Sequence, residues 1–165
     1  MVSLEFIGPD RAREISEIAP PLFSEVYDYV PREMLEEFLE ETQTTGRIGE
    51  QMADGMRYAF ILDGDARAGY VSYGMDAEGM YLSKLYLFRE FRGRGIGSRV
   101  IDMVEDEARE AGAPCIHLDV NYRNEGAIRL YRRKGFSEGE RIGYMRVIMR
   151  KPLRCTSAEE DIDHD

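Results

Sequence analysis

Residues 92–97 have the sequence Arg92-Gly93-Arg94-Gly95-Ile96-Gly97, and Ser98 follows them. The apolar run Leu85-Tyr86-Leu87 before them predicts the end of a strand, and the apolar spacing after them predicts a helix over Gly95–Ala111. Glycines let backbone N–H groups approach a ligand closely, and the N-terminus of a helix favours an anion. The arginines add positive charge. We therefore predict an anion cradle over residues 92–98 that suits a pyrophosphate.

Two other nucleotide-binding motifs also use a glycine-rich turn before a helix. A P-loop requires Gly-Lys-Ser/Thr, whereas this chain has Gly97-Ser98-Arg99. A dinucleotide-binding fold requires a third glycine later and alternating parallel units from the start of the domain. The sequence therefore excludes both classes.

The elements around the turn predict an α+β fold with a mixed sheet. A strand, a helix and a strand in succession imply parallel pairing, whereas Asp63-Gly64-Asp65 predicts an antiparallel hairpin. We expect Pro20-Pro21 to break or kink the helix over Ala12–Tyr27 so that it forms two pieces, and we expect Gly46 to separate the next two helices. The predicted strands are Leu4–Ile7, Tyr58–Leu62, Ala66–Tyr73, Met80–Leu87, Cys115–Val120, Phe136–Arg141 and Tyr144–Lys151, and the later helix is Glu125–Lys134.

Composition indicates one globular domain over residues 1–153. The chain has 165 residues, of which 43% are hydrophobic and 33% charged, and we find neither a spanning segment nor a signal pattern. Residues 155–165 contain five acidic and no basic residues, which is half of the net charge of −10. We therefore predict a disordered acidic tail over 154–165, a cytoplasmic location, and no partnership with nucleic acid or membrane. Cys115 and Cys155 suggest no disulfide or metal site, and we expect Cys115 in the core.

Two motifs together resemble the GNAT superfamily of N-acetyltransferases. Arg92-x-x-Gly95-x-Gly97 is similar to its pyrophosphate signature, and Asn124-Glu125-Gly126-Ala127-Ile128-Arg129-Leu130-Tyr131-Arg132-Arg133-Lys134-Gly135-Phe136 is similar to its second signature. The resemblance implies a mostly antiparallel sheet with a splayed central parallel strand pair, flanked by helices, and acetyl-CoA as cosubstrate. The residues that it implies for coenzyme A are Leu85, Tyr86, Leu87, Arg92, Gly93, Arg94, Gly95, Ile96, Gly97, Ser98, Asn124, Ala127 and Tyr131.

The resemblance also implies direct transfer of an acetyl group to a primary amine in a ternary complex. Leu87 N–H is the candidate donor to the oxyanion, and Tyr131 is the candidate acid for the leaving sulfur. No metal is required. Without the second signature, Tyr131 would be interpreted as a core tyrosine.

Asp119 is our candidate general base. It lies twelve positions before Tyr131, where ribosomal-protein N-acetyltransferases have a glutamate, and we expect burial to raise its pKa. An aspartate at a strand end also commonly accepts hydrogen bonds from loop N–H groups. His117 is a second candidate base, and a water relay is a third route for the proton.

The acceptor pocket has no motif of its own. Glu25, Tyr27 and Asp28 are candidates for its lining, and the acceptor is either a small-molecule amine or an amino group of a protein or peptide. A non-catalytic acyl-CoA-binding or sensing domain is the alternative function, and an interaction module that uses the acidic tail is a third. The sequence also leaves open whether the chain forms a homodimer.

Overall fold

The computed structural model describes residues 1–143 and 145–153. The predicted strand residue Tyr144 and the predicted tail, with Cys155 and His164, lie outside the described residues. The strands are β1 (Val2–Ile7), β2 (Arg57–Asp63), β3 (Ala66–Met75), β4 (Met80–Leu87), β5 (Cys115–Asn121), β6 (Ser137–Ile142) and β7 (Arg146–Pro152). The α-helices are α1 (Ala12–Val26), α2 (Arg32–Thr42), α3 (Thr45–Ala53), α4 (Ile96–Glu110) and α5 (Glu125–Arg133).

The strands form one sheet in the order β1-β2-β3-β4-β5-β7-β6. Only β4 and β5 pair in parallel, and they pair at just two positions, Met80 with Ile116 and Tyr81 with His117. Both strands continue beyond this point, β4 to Leu87 and β5 to Asn121. The predicted splayed parallel pair and the α+β fold are therefore confirmed.

Helices cover both faces of the sheet. The larger core lies between the sheet and α4 and α5, and it includes Val104, Ile116 and Phe136. The second core lies between the sheet and the N-terminal helices, and it includes Phe23 and Tyr70. Burial of these side chains is the main stabilising contribution, at roughly 25 cal/mol per Å² of apolar surface. None of the helices in the described part is both long and apolar enough to cross a bilayer.

The predicted break in the first helix is wrong. α1 runs from Ala12 to Val26 with Pro20 and Pro21 inside it. Both prolines are exposed, so the carbonyls that lose their helical partners lie on the outer side of α1, where water can bond to them. Ile15, Leu22 and other buried residues on the opposite side hold the helix against the sheet.

Two smaller expectations also change. Gly46 lies inside α3 rather than between two helices, and Thr44 begins that helix by accepting a hydrogen bond from the N–H of Arg47. Cys115 is half-buried at the start of β5, and its Sγ lies 3.5 Å from the carbonyl oxygen of Glu78, so it is not a core residue.

Candidate active site

A β-bulge in β4 determines which side chains face which core. Ser72 pairs with Lys84 while Tyr73 pairs with Leu82, so Ser83 is an extra residue in β4. Before the bulge, Leu82 faces the larger core, and after it Leu85 faces the same core. Lys84 and Tyr86 therefore point to the side of the N-terminal helices. Bulges commonly redirect side chains beside active sites.

The splay leaves backbone groups of β4 free of a strand partner. Phe88 N–H donates to Ala68 O at 2.8 Å, which turns the groups of Phe88 toward β3. Because backbone groups alternate along a strand, the N–H and C=O of Leu87 point the other way, toward the gap beside β5. Arg92 Nε donates to Leu87 O at 3.0 Å, in agreement with this direction.

The glycine-rich turn has a backbone that other residues rarely adopt. Gly93 has φ +78° and Gly95 has φ +79°, both in the left-handed region, and α4 begins at Ile96. No atom lies within 4 Å of a Cβ built at either glycine. At Gly97 a Cβ would lie 3.1 Å from Leu130 Cδ2, because α4 and α5 approach closely there. The turn thus offers exposed N–H groups at a helix N-terminus.

This turn forms one side of a pocket of about 400 Å³, which we call the cradle pocket. Its other sides come from the exposed backbone of β4 and from α5. Twelve of the thirteen residues predicted for coenzyme A line it, namely Leu85, Tyr86, Leu87, Arg92, Gly93, Gly95, Ile96, Gly97, Ser98, Asn124, Ala127 and Tyr131.

Arg94 is the exception, because its guanidinium lies 3.6 Å from the carboxylate of Asp63 and its side chain does not line the cradle pocket. The role predicted for Arg94 in binding coenzyme A therefore stays a prediction, with its side chain paired to Asp63 beside the pocket. Arg133 lines the pocket instead, whereas Lys134 turns away to Asp102 at 2.6 Å.

Asn124 and Tyr131 lie on the α5 side of the cradle pocket. Asn124 caps α5, since its Oδ1 accepts a hydrogen bond from Ala127 N–H at 3.3 Å. Tyr131 is 7% exposed and packs edge-on against Phe136. Burial raises the pKa of Tyr131, so its hydroxyl keeps its proton at neutral pH. Within the described residues that hydroxyl makes no hydrogen bond to another protein group.

A second pocket of about 270 Å³ lies between β4, β5, β7 and the N-terminal helices, and we call it the helix-side pocket. It meets the cradle pocket at Tyr86, which lines both. The hydroxyls of Tyr86 and Tyr27 are hydrogen-bonded to each other at an oxygen–oxygen distance of 2.8 Å. The other lining residues are Val30, Met34, Leu35, Glu37, Phe38, Glu41, Ser83, Lys84, Asp119, Asn121, Met145 and Arg146.

Asp119 lies in this pocket, but the expected rise in its pKa is wrong. Burial alone would raise the pKa, but hydrogen bonds from Arg146 and Tyr81 outweigh it and hold the pKa below the ordinary value. The Tyr81 hydroxyl donates to Oδ1 at 2.8 Å, and Arg146 donates to Oδ2. At neutral pH Asp119 is therefore an ionised partner of Arg146 with little affinity for a proton.

The other candidates for the base and the acceptor lining are mostly elsewhere. His117 is stacked on Tyr81, bonds to Asp76 at 2.9 Å and lines neither of these pockets. Glu25 accepts a hydrogen bond from Arg89 N–H, and neither Glu25 nor Asp28 lines the helix-side pocket. Of the three predicted lining residues, only Tyr27 does so.

Sequence reasoning missed Lys84 and Arg146, the two cations of the helix-side pocket. Lys84 is the one basic residue in the run Met80–Leu87, and a charge inside a predicted strand was a signal that could have been followed. Arg146 had no such signal, since β7 carries several basic residues. No group of three or more His, Cys, Asp or Glu able to hold a metal occurs in residues 1–143 and 145–153.

A family model and individual relatives match this chain. The model of the acetyltransferase (GNAT) family matches residues 17–136. An uncharacterized N-acetyltransferase of Methanocaldococcus jannaschii is 36% identical over 70 residues, which are 42% of this chain and 31% of that protein. The aminoalkylphosphonate N-acetyltransferase of Salmonella typhimurium is 35% identical over 57 residues, which are 34% of this chain and 37% of that protein.

The fold is shared with a solved structure over almost its whole length. The PaiA N-acetyltransferase of Thermoplasma acidophilum, crystallised in complex with coenzyme A, superposes with a TM-score of 0.81 at 17% identity. The match covers 92% of this chain and 99% of that one. The family model matches more than half of the chain, and the chain therefore belongs to the acetyltransferase (GNAT) family.

Proposed function

We propose that this protein transfers an acetyl group from acetyl-CoA to a primary amine by direct attack in a ternary complex. The observation that carries the proposal is the meeting of two pockets at Tyr86. The cradle pocket is the site for acetyl-CoA, and the helix-side pocket is the site for the amine. Both substrates thus reach the gap between β4 and β5 from different sides, and no covalent enzyme intermediate is required.

The cradle pocket fits coenzyme A in its charge and its backbone geometry. The left-handed glycines expose N–H groups at the start of α4, which suits a pyrophosphate. Arg92 and Arg133 line the same pocket and supply positive charge. The backbone groups of Leu85 and the N–H of Leu87, which have no strand partner on this side, suit the amides of a pantetheine chain, which needs partners at regular spacing.

The bound coenzyme supplies an acetyl group activated as a thioester. The neutral nitrogen of the acceptor attacks the thioester carbonyl. Leu87 N–H then donates to the carbonyl oxygen as that oxygen gains negative charge. The Tyr131 hydroxyl donates its proton to the departing sulfur, for which its retained proton at neutral pH is required.

Asp119 is poorly suited to removing the proton from the amine, because its lowered pKa makes it a weak base. We therefore assign Asp119 the role of holding Arg146 and Tyr81 in place, and we assign the proton to a water relay through the helix-side pocket. The acceptor is a small-molecule amine or an amino group of a protein or peptide. The name of the Salmonella typhimurium relative supports the small-molecule class.

The test follows release of free thiol when the protein is mixed with acetyl-CoA and a panel of amines. Tyr131→Phe is expected to lower kcat by about 10²–10⁴-fold, the usual contribution of a general acid, and to leave coenzyme A binding intact. Tyr122→Phe is the matched control, because Tyr122 is 39% exposed and lines neither pocket. Binding of acetyl-CoA without thiol release for any amine would instead favour a non-catalytic sensing domain.

A further inference from the structure

Lys84 is enclosed in the helix-side pocket and has no anionic partner among residues 1–143 and 145–153. The bulge at Ser83 turns its side chain into the helix-side pocket, where it is half-buried. Its Nζ lies 3.0 Å from Ser83 Oγ and 5.7 Å from the ring centre of Phe38. Among the described residues no carboxylate lies within 4.0 Å of this Nζ. A buried charge without a partner is costly, and natural proteins usually pair it or bind a ligand with it.

The neighbouring charges do not compensate Lys84. Asp119 is already bonded to Arg146 and Tyr81, so its two oxygens are occupied. Burial and, to a smaller extent, the charge of Arg146 lower the pKa of Lys84 to about 8, against the opposing charge of Asp119. Because this pKa is above 7, Lys84 still carries its proton at neutral pH for most of the time.

The position of Lys84 relative to the reaction centre limits the acceptor. Lys84 and Tyr86 are two residues apart on one face of β4, which separates their backbones by about 7 Å. Tyr86 lies where the two pockets meet. An acceptor with its amine beside Tyr86 therefore places a group a few bonds away near Lys84. A volume of about 270 Å³ suits a small molecule or the tip of a longer one.

Glu37 and Glu41 repel an anion, but they lie on the outer wall of the helix-side pocket. Both belong to α2 and line the helix-side pocket, yet both are exposed, so water and salt screen their charge. Lys84 and Arg146 lie deeper, on the strands. The inner part of the pocket is therefore the part that selects for charge.

Building on the proposed function, we infer that the acceptor amine carries a carboxylate or phosphonate a few bonds from its nitrogen, and that Lys84 binds this anion. Arg146 supports the same anion while it remains paired with Asp119. Charge-assisted hydrogen bonds to a half-buried lysine give the selectivity, and the apolar wall of Val30 and Phe38 packs against the carbon chain.

The test compares matched acceptors and matched variants. β-Alanine and 2-aminoethylphosphonate are the anionic probes, β-alaninamide is the neutral one, and 1,3-diaminopropane is the cationic one. For the wild type we expect kcat/KM to be highest for an anionic probe. Lys84→Met should raise KM for the anionic probes by about 10–100-fold and change KM for β-alaninamide less than threefold. Lys84→Arg should recover most of the loss, and Glu41→Gln should lower KM for the anionic probes slightly.

The outcomes separate the inference from the proposed function. A preference for β-alaninamide or 1,3-diaminopropane that Lys84→Met leaves unchanged would overturn the inference while the acetyltransferase function stood. If no amine releases thiol, calorimetric binding of β-alanine to the protein–coenzyme A complex still decides. Binding that Lys84→Met abolishes would support the anion site, and the absence of binding would refute it. Melting curves and coenzyme A titrations of each variant verify that it is folded.

Discussion

Gly95→Ala tests whether the conformation of the glycine-rich turn is required for coenzyme A binding. Gly95 has φ +79° and ψ 7°, and a Cβ there meets no atom within 4 Å. The substitution therefore introduces no clash, and its effect comes from the left-handed backbone, which costs about 1–2 kcal/mol for a residue with a Cβ. The part of that strain that the free turn retains lowers the melting temperature, by about 2–8 °C for a domain of this size if all of it is retained.

The same strain predicts the effect on the ligand. Because nothing packs against the new methyl group, the turn can relax away from φ +79° in the free protein, and binding must then restore the strained form. Only the part of the strain that the free turn releases must be restored on binding, and restoring all of the roughly 1–2 kcal/mol weakens coenzyme A binding by about 5–30-fold. Gly95→Asn should bind more tightly than Gly95→Ala, since asparagine tolerates the left-handed region better. Isothermal titration calorimetry with coenzyme A measures both variants.

Gly112→Ala is the matched control at the other end of α4. Gly112 has φ +75°, is exposed, and also has no atom within 4 Å of a built Cβ. The 15 residues of α4 separate it from the cradle by about 22 Å. It should lose similar stability and keep wild-type affinity. If Gly95→Ala keeps both the stability and the coenzyme A affinity of the wild type, the argument that the left-handed turn forms the site is wrong.

Three further predictions concern charge and packing. The pKa of Asp119 is lowered because hydrogen bonds from Arg146 and Tyr81 outweigh burial. The ionised carboxylate therefore stabilises the fold above about pH 4, and this stabilisation is lost as the pH falls through the lowered pKa of the folded state. Asp119→Asn should remove that part of the acid dependence in melting curves from about pH 2 to about pH 6. Arg133→Ala should weaken coenzyme A binding and make the affinity less sensitive to salt, which titrations at about 50 and about 300 mM salt would measure. An unchanged salt dependence would mean that the phosphates bind away from Arg133. Phe23→Ala should lower the free energy of unfolding by about 3–5 kcal/mol in urea denaturation, because this ring is fully buried; a loss below about 1 kcal/mol would contradict the second core.

Local signals predicted most of the fold. The Asp63-Gly64-Asp65 turn, the strand alternation and the apolar stripe of α4 each act within a few residues, and the strands and α4 lie close to their predicted bounds. The family and its splayed sheet followed from two motifs with fixed spacing and are confirmed. The break at Pro20-Pro21 failed because packing of the buried side of α1 overrides a local preference, which a single-sequence argument weighs without its tertiary context.

The candidate site was predictable on one side only. The cradle pocket comes mainly from two contiguous motifs, and twelve of its sixteen lining residues were among those predicted for coenzyme A. The helix-side pocket joins α2, β4, β5 and β7, which are far apart in sequence and share no motif. Arg146 reaches Asp119 only through the pairing of β5 with β7, and that contact reversed the expected pKa shift. The roles of individual residues, the disordered tail, the cytoplasmic location and a homodimer stay predictions.

The extra residue at Ser83 imposes a parity rule on β4. Deleting Ser83 would close the bulge, because Leu82 and Lys84 would then pair with consecutive residues of β3, and the faces and register of residues 84–87 would be kept. Deleting one further residue would exchange the two faces beyond that point, so that Tyr86 would enter the larger core and Leu85 and Leu87 would enter the helix-side pocket. Variants that redesign this pocket can therefore lose Ser83, but they should otherwise keep the number of residues between Leu82 and Leu87 fixed.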